Sequence, residues 1–355
     1  MQELIRPGAE GDVLAVVSQS GGDVSFFDAA RHTPLGSVEV PAEPHELCFD
    51  PTRRLLWCAT SYRSGFYHAN SGRRSELTVI DPDTRRIVEV VDLAPEHAPH
   101  GLALDAGRGL LYVSVEGGPD RSGGVVVIDT ATRRPIGRID TGAPGPHWFV
   151  VDATGTTGYA SNKEAPFVSV VDLGLGKLTD RIEVPGSEGI AVSPDGSRVF
   201  VAAPYGSFAG REDGDGERPA NGVRVIDTAR AEVTATLATE GLVFPVHHTA
   251  TGRVLAGELR MAPDPGAPLG RHAPGRLTVF SGDGGERLGG IGVGLFPLTI
   301  TSSPDGRTGY VACVVSSTVD VVDLESMRRL GRLEVGRRDG AGAHGLAYVP
   351  GAGAA

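Results

Sequence analysis

Four histidines recur at the same point of a repeated motif. The chain reads Pro44-His45-Glu46-Leu47-Cys48-Phe49-Asp50, then Pro99-His100-Gly101-Leu102-Ala103-Leu104-Asp105, then Pro146-His147-Trp148-Phe149-Val150-Val151-Asp152, and near its end His344-Gly345-Leu346-Ala347-Tyr348-Val349. Neutral imidazole is the commonest transition-metal ligand, and its pKa makes it the side chain best suited to move protons near neutral pH. Roughly three to five imidazoles drawn to one point would suit a divalent ion such as iron, copper, zinc, nickel or manganese. For that to happen, elements far apart in sequence must be brought round a common centre.

The repeat supplies such elements. Each motif opens an apolar stretch that ends at a tight turn, such as Ser193-Pro194-Asp195-Gly196 or Ser303-Pro304-Asp305-Gly306. A second apolar run follows, as in Leu55-Leu56-Trp57-Cys58-Ala59 or Leu110-Leu111-Tyr112-Val113-Ser114. A third run alternates and ends in Asp: Leu77-Thr78-Val79-Ile80-Asp81, Val125-Val126-Val127-Ile128-Asp129, Val223-Arg224-Val225-Ile226-Asp227, Val319-Asp320-Val321-Val322-Asp323. A fourth short run closes the unit. β-Branched content and period-two alternation make all four strands. The positions equivalent to the motif histidine are His45, His100, His147, Glu188, Val246, Leu298 and His344. Their spacing of about 40–60 residues is that of four-stranded propeller blades. The last unit has only its first strand at the C-terminus, and the N-terminus supplies the other three from Val13, Val24 and Gly36 onward. The predicted fold is therefore all-β: a seven-bladed β-propeller of four-stranded antiparallel blades, residues 1–355 forming one domain, its last blade closed by N- and C-terminal strands so that no sheet edge is left open.

In Gly189-Ile190-Ala191-Val192-Ser193-Pro194-Asp195-Gly196 with Val199-Phe200-Val201-Ala202, and in Ser303-Pro304-Asp305-Gly306-Arg307 with Gly309-Tyr310-Val311-Ala312, the chain resembles the YVTN-repeat family of seven-bladed propellers. The resemblance covers nearly the whole chain and implies the fold. Architectures of this kind include lactonases, streptogramin lyase-like enzymes, electron-transfer subunits and scaffolds, so the fold alone does not select a function.

In a propeller the first strand of each blade lines the central channel, and the histidines, which begin those strands, would ring one mouth of it. His344, His45, His100 and His147 belong to consecutive blades seven, one, two and three; Glu188 of blade four comes next, and Leu298 leaves a gap opposite. The expected ligands of a divalent transition metal (Fe, Cu, Zn, Ni or Mn) are His45, His100, His147 and His344, joined by His248, which period-two alternation from Val246 sets one layer deeper, with His247 facing away. Glu188 and Glu116 are the candidate proton-transfer residues. Loops near residues 60–76, 115–124, 203–222 and 257–276 open on the same face and offer Tyr62, His68, Tyr205 and Glu258 as substrate contacts, with Asn162, Lys163, Glu164, Arg260 and His272 around them. His97, three residues before His100, is read as solvent-exposed, and Glu212-Asp213-Gly214-Asp215-Gly216-Glu217 as an acidic loop, because an EF-hand needs its bidentate Glu where Arg224 stands.

Composition narrows the partners. A net charge of −11 disfavours nucleic acid and anionic membranes. No stretch approaches the roughly 20 apolar residues of a membrane span, and Met1-Gln2-Glu3-Leu4-Ile5-Arg6-Pro7 has no signal-peptide pattern. A cytoplasmic location and a small-molecule substrate are expected, and Gly-, Ala-, Arg- and Val-rich usage suggests a bacterial source; the oligomeric state is not legible. Antiparallel pairing about Pro51-Thr52-Arg53 puts Cys48 opposite Trp57 and Cys58 opposite Leu47, on opposite faces of the sheet, so no disulfide is expected. Three functions remain open: a metal-dependent small-molecule enzyme (lyase, hydrolase, isomerase or oxygenase), a metal-free lactonase or lyase using the His/Glu ring as acid and base, and a non-catalytic interaction propeller.

Overall fold

The computed structural model describes residues 11–66, 69–118, 120–204, 220–264 and 266–352. Of the sequence-derived candidates, His68, Tyr205 and the acidic run 212–217 lie outside the described residues, as does the N-terminal segment 1–10.

Seven four-stranded antiparallel sheets follow one another along the chain. Their first strands, Leu47–Asp50, Leu102–Asp105, Pro146–Val151, Ile190–Val192, Leu242–His248, Pro297–Ser302 and Ala343–Val349, each pack against the first strands of the blades on either side, and the series closes on itself. Blade 7 is stitched from both ends as expected: Ala343–Val349 pairs with Val13–Ser18, which pairs with Asp23–Asp28, with Pro34–Glu39 outermost. Among the described residues there is no helix, hence none long and apolar enough to cross a membrane.

Alternation in each strand serves two neighbours at once. In blade 1, Trp57 and Ala59 pack with Leu111 and Val113 of blade 2, whereas Leu56 and Cys58 pack with Val17 and Phe26 of blade 7. Period two therefore directs the side chains of the inner strands to the adjacent blades, while the fourth strands stay mostly exposed. The cysteines follow the predicted register, Leu47 opposite Cys58 and Cys48 opposite Trp57, and all three are free thiols. Burial pushes the Cys48 thiol up to about 12, so it is inert at neutral pH.

The Asp that ends six of the third strands has a local cause. Carboxylates of Asp28, Asp81, Asp129, Asp172, Asp227 and Asp323 accept backbone N–H bonds from two or three residues on. Four residues after each Asp the chain passes through positive φ, at His32, Arg85, Arg133, Gly176, Ala231 and Met327. The side chain thus takes up backbone donors that the turn leaves unpaired.

The described parts of the mouth-face loops carry more strand pairing than their composition suggests. Region 257–276, expected as a loop, is an extension of blade 5: Arg253–Asp264 and Ala267–Ser281 remain paired out to Asp264 opposite Ala267. In blade 1, Gly65–Phe66 and Ala69–Asn70 make a small hairpin. In blade 2, single bridges join His97 to Glu116 and Gly118 to Arg121.

Candidate functional site: an imidazole arc at the channel mouth

At the mouth, two residues of the first strand oppose one of the second. The His45 N–H donates to Ala59 O (2.8 Å) and the Ala59 N–H to Glu46 O (2.9 Å); His100 and Gly101 flank Ser114, and Glu188 and Gly189 flank Ala202, in the same way. Registers also slip between Pro146 and Phe149, Val243 and Val246, and Pro297 and Thr299. These are β-bulges, which re-aim a side chain where the ladder is interrupted. The bulged glycines then bond across to the next blade: Gly345 N–H to His45 O, Gly101 N–H to His147 O and Gly189 N–H to Phe244 O, each at 3.0 Å. A Cβ on Gly345 would stand 2.6 Å from His45 O, and one on Gly101 2.7 Å from His147 O, so the close approach requires glycine at these positions.

This pattern corrects the ring position of blade 5. Phe244 receives the bond from Gly189 that His147 receives from Gly101, so Phe244, not Val246, is the equivalent of the motif histidine. The bulge sets Phe244 and Pro245 together opposite Gly257, and Val246 pairs with Ala256 just beyond it, as Leu47 pairs with Cys58. In blade 6 the bulge sets Pro297 and Leu298 together opposite Cys313, so Pro297, not Leu298, is the ring position. Blades 5 and 6 thus form an apolar sector; Phe244 and Phe296 meet edge to face at 4.9 Å, and His272 from the blade 5 hairpin lies 5.5 Å from Phe296.

The four motif histidines do come together. Ring centroids are 4.2 Å apart for His344 and His45, 4.4 Å for His45 and His100, and 3.6 Å for His100 and His147. All four are buried. Burial, followed by the neighbouring imidazoles and Lys163, holds His45, His100 and His147 well below the ordinary histidine range. These three are neutral at pH 7, with ring lone pairs free to bind a cation.

A carboxylate stands at each end of the arc. Glu188 Oε1 lies 3.3 Å from His147 Nδ1 and 3.4 Å from Lys163 Nζ. Burial pushes its pKa up to about 7, with Lys163 opposing that rise. At the other end, Glu46 Oε1 lies 3.1 Å from His344 Nδ1, and burial raises this carboxyl too. Sequence reasoning passed over Glu46 as a spelling of the motif. The available signal was that it replaces the glycine of Pro-His-Gly with a charged residue, in a position 1% exposed.

Neither end pair is aligned as a hydrogen bond. Both oxygens of Glu46, Oε2 of Glu188, both nitrogens of His100, and Nδ1 of His147 and His344 are buried without a hydrogen-bond partner. They make up more than half of such side-chain atoms among the described residues. Each such group favours a partner, whether water, a bound ion or a substrate. Among the described residues no three His, Cys, Asp or Glu have donor atoms already disposed as a metal-holding group; the imidazoles stand ring against ring.

The remaining predicted residues divide. Tyr62, 4% exposed, donates its hydroxyl to Glu116 Oε1 and sets its ring edge-on to His45, centroids 6.3 Å apart. Glu116 also pairs with Arg73 Nε at 2.8 Å, and burial raises its carboxyl. Glu116, Arg73, Arg121 and Glu164 border a cleft of about 480 Å³ beside the arc. Glu258, in contrast, is taken up by structure: Oε2 accepts from the Glu240 and Gly241 amides (3.1 and 2.8 Å) and Oε1 from Thr278 Oγ1. His97 anchors Glu116 through its backbone carbonyl, at 3.0 Å. Asn162 bonds Phe167 O and Ser169 Oγ within blade 3.

His248 does not join the arc. Its Nδ1 bonds Thr249 O at 2.9 Å and its ring lies 5.5 Å from Phe200 of blade 4, while His247 bonds Ser302 Oγ of blade 6 at 2.9 Å. The expected alternation is present, but it runs sideways. The two faces of a radially set strand look toward neighbouring blades, so neither ring is simply inward or outward; both border a 310 Å³ cavity in the channel.

The fold and site define a seven-bladed β-propeller with a buried imidazole arc at one mouth. No family model and no curated protein matches the chain. Among solved structures it is similar to the hydrazine synthase of Kuenenia stuttgartiensis (TM-score 0.63, 16% identity, 83% of this chain and 87% of that one). It is also similar to the dihydro-heme d1 dehydrogenase NirN in complex with DHE (TM-score 0.58, 16% identity, 93% of this chain and 65% of that one). At such identity the likeness is one of fold.

Proposed function

We propose that the protein is an enzyme acting on a small molecule with a divalent transition metal held by His45, His100, His147 and His344. The observation that carries this reading is the set of buried, unpartnered imidazole and carboxylate atoms on adjacent blades. The donor chemistry suits such an ion, although the rings would have to turn out of their present ring-against-ring packing to hold it: burial keeps three of the imidazoles neutral, as ligation requires, and the apolar sector of Phe244 and Pro297 supplies no competing donor, leaving a side for substrate. The metal would supply Lewis-acid or redox chemistry. Glu188, near pH 7 in proton affinity and beside Lys163, takes up or returns the substrate's proton. Glu116, raised by burial and held by Tyr62 and Arg73, faces the cleft from which substrate approaches. That both solved propellers above bear enzyme names supports an enzymatic reading. The Ser-Pro-Asp-Gly turns keep the chain beside the YVTN-repeat propellers, and its free thiols suit a reducing, cytoplasmic setting.

Elemental analysis of protein purified without a histidine tag tests the metal. The expected result is about one ion per chain, or its uptake from solution below about 1 mM; no ion in either experiment overturns the reading. A metal-free acid–base enzyme is the second reading, favoured by the proton affinity of Glu188. It predicts activity that survives chelation and is lost in Glu188→Ala.

A further inference from the structure

We propose that Glu46 is a positioning residue: it accepts the Nδ1 proton of His344 and so fixes Nε2 as the nitrogen that His344 offers to the ion. The inference rests on the metal reading above, and it concerns a residue that never touches the metal.

Three observations support it. Glu46 Oε1 is 3.1 Å from His344 Nδ1, within reach of a hydrogen bond after a small ring rotation. Among the described residues this is its one ion-pair contact, and both of its oxygens otherwise lack a partner although the residue is 1% exposed. Finally, the position is glycine in blades 7, 2 and 4, where Gly345, Gly101 and Gly189 stand against the neighbouring strand. Blade 1 has room for a side chain because Gly345 yields it, its absent Cβ lying 2.7 Å from Glu46 Cα. The space is filled by a carboxylate aimed at an imidazole, where an apolar residue would bury at no polar cost. In its ionised form a carboxylate only accepts hydrogen bonds and would select the Nδ1–H tautomer, and a ligating imidazole is ordinarily held by such a partner.

The contrast with Glu188 sharpens the assignment. Glu188 has Lys163 at 3.4 Å besides its histidine and so has a second partner while a proton moves. Glu46 has only His344 to orient.

The test uses tag-free protein labelled with 15N in histidine. Long-range 15N–1H spectra report the His344 tautomer, and competition titration with Zn2+ reports affinity. His344 is expected as the Nδ1–H tautomer in the native protein. Glu46→Leu should populate Nε2–H and weaken Zn2+ about 10–100-fold. Glu46→Gln, whose amide oxygen still accepts, should retain the tautomer and most of the affinity, and it serves if Glu46→Leu fails to fold. An Nε2–H tautomer in the native protein, or an unchanged tautomer in Glu46→Leu, overturns the proposal. If the native protein takes up no Zn2+, the metal reading fails, while the tautomer still decides whether Glu46 orients His344.

Discussion

The ring of first strands has two unlike halves built on one backbone. From blade 7 through blade 4 it presents His344, His45, His100, His147 and Glu188; across blades 5 and 6 it presents Phe244 and Pro297. The same bulge appears in both halves, and the cross-blade bond from glycine bridges their boundary, since Gly189 donates to Phe244 as Gly101 donates to His147. Backbone geometry therefore does little to set the halves apart. The side chains do. The apolar half is satisfied by ring packing between Phe244 and Phe296, whereas the polar half buries nitrogens and oxygens that no protein group satisfies.

Substitutions at equivalent positions should separate the halves. The largest effect is expected from His100→Ala, at the middle of the arc. Zn2+ affinity, measured by competition titration, should fall by more than the roughly 100-fold upper cost of losing an outer-shell partner, with the fold intact by circular dichroism. A fall of less than tenfold would remove His100 from the ligand set. Phe244→Ala should behave oppositely, costing about 3–5 kcal/mol in denaturant unfolding while Zn2+ affinity stays the same. Loss of affinity there would mean that the apolar half shapes the metal site directly.

The pH dependence of the metal-free protein sharpens the comparison within the polar half. Glu188 has its folded pKa raised to about 7, so the folded state takes up its proton before the unfolded chain does, and this stabilises the fold as pH falls. His45, His100 and His147 have lowered folded pKa values, so the unfolded chain is protonated first, and this destabilises the fold as pH falls below the ordinary histidine range near 6.5. The two contributions oppose each other. Glu188→Gln should therefore make the melting temperature drop more steeply from about pH 7 to 5, and parallel curves would show that Glu188 is not protonated on folding. The smallest effect belongs to Tyr62→Phe. It removes one hydrogen bond to Glu116, worth about 1 kcal/mol of stability, and should leave Zn2+ affinity unchanged.

The fold was legible because its signals are local and repeated. Alternation, the terminal Asp of the third strands and the Ser-Pro-Asp-Gly turns each encode a contact within one blade, and the sum of these contacts gives the number of blades. Convergence of His344, His45, His100 and His147 followed from the repeat alone. What escaped was set by irregularity. A bulge adds a residue without changing composition, so Val246 falls beyond the bulge of blade 5 and Leu298 is the second residue of that of blade 6, and the ring positions are Phe244 and Pro297. Alternation told His247 from His248 but not that both turn toward neighbouring blades. By sequence Glu258 falls just beyond a second strand, where a site residue is expected, yet it lies within Arg253–Asp264 and its oxygens meet backbone amides that no side-chain pattern reveals. Glu46 was visible as a departure from glycine, and the meaning of that departure depends on His344, nearly three hundred residues away.

The stitched blade has a consequence for how the site comes into being. His344 lies on the strand Ala343–Val349, whose partner is Val13–Ser18. During synthesis the imidazole that completes the arc emerges more than three hundred residues after Val13–Ser18 and is secured only when Ala343–Val349 pairs with that strand. Loss of Ala343–Val349 would remove the closing strand and the fourth imidazole together, so a chain of that kind could neither seal the ring nor assemble the arc. Assembly of the arc is thereby conditional on one long-range strand pairing.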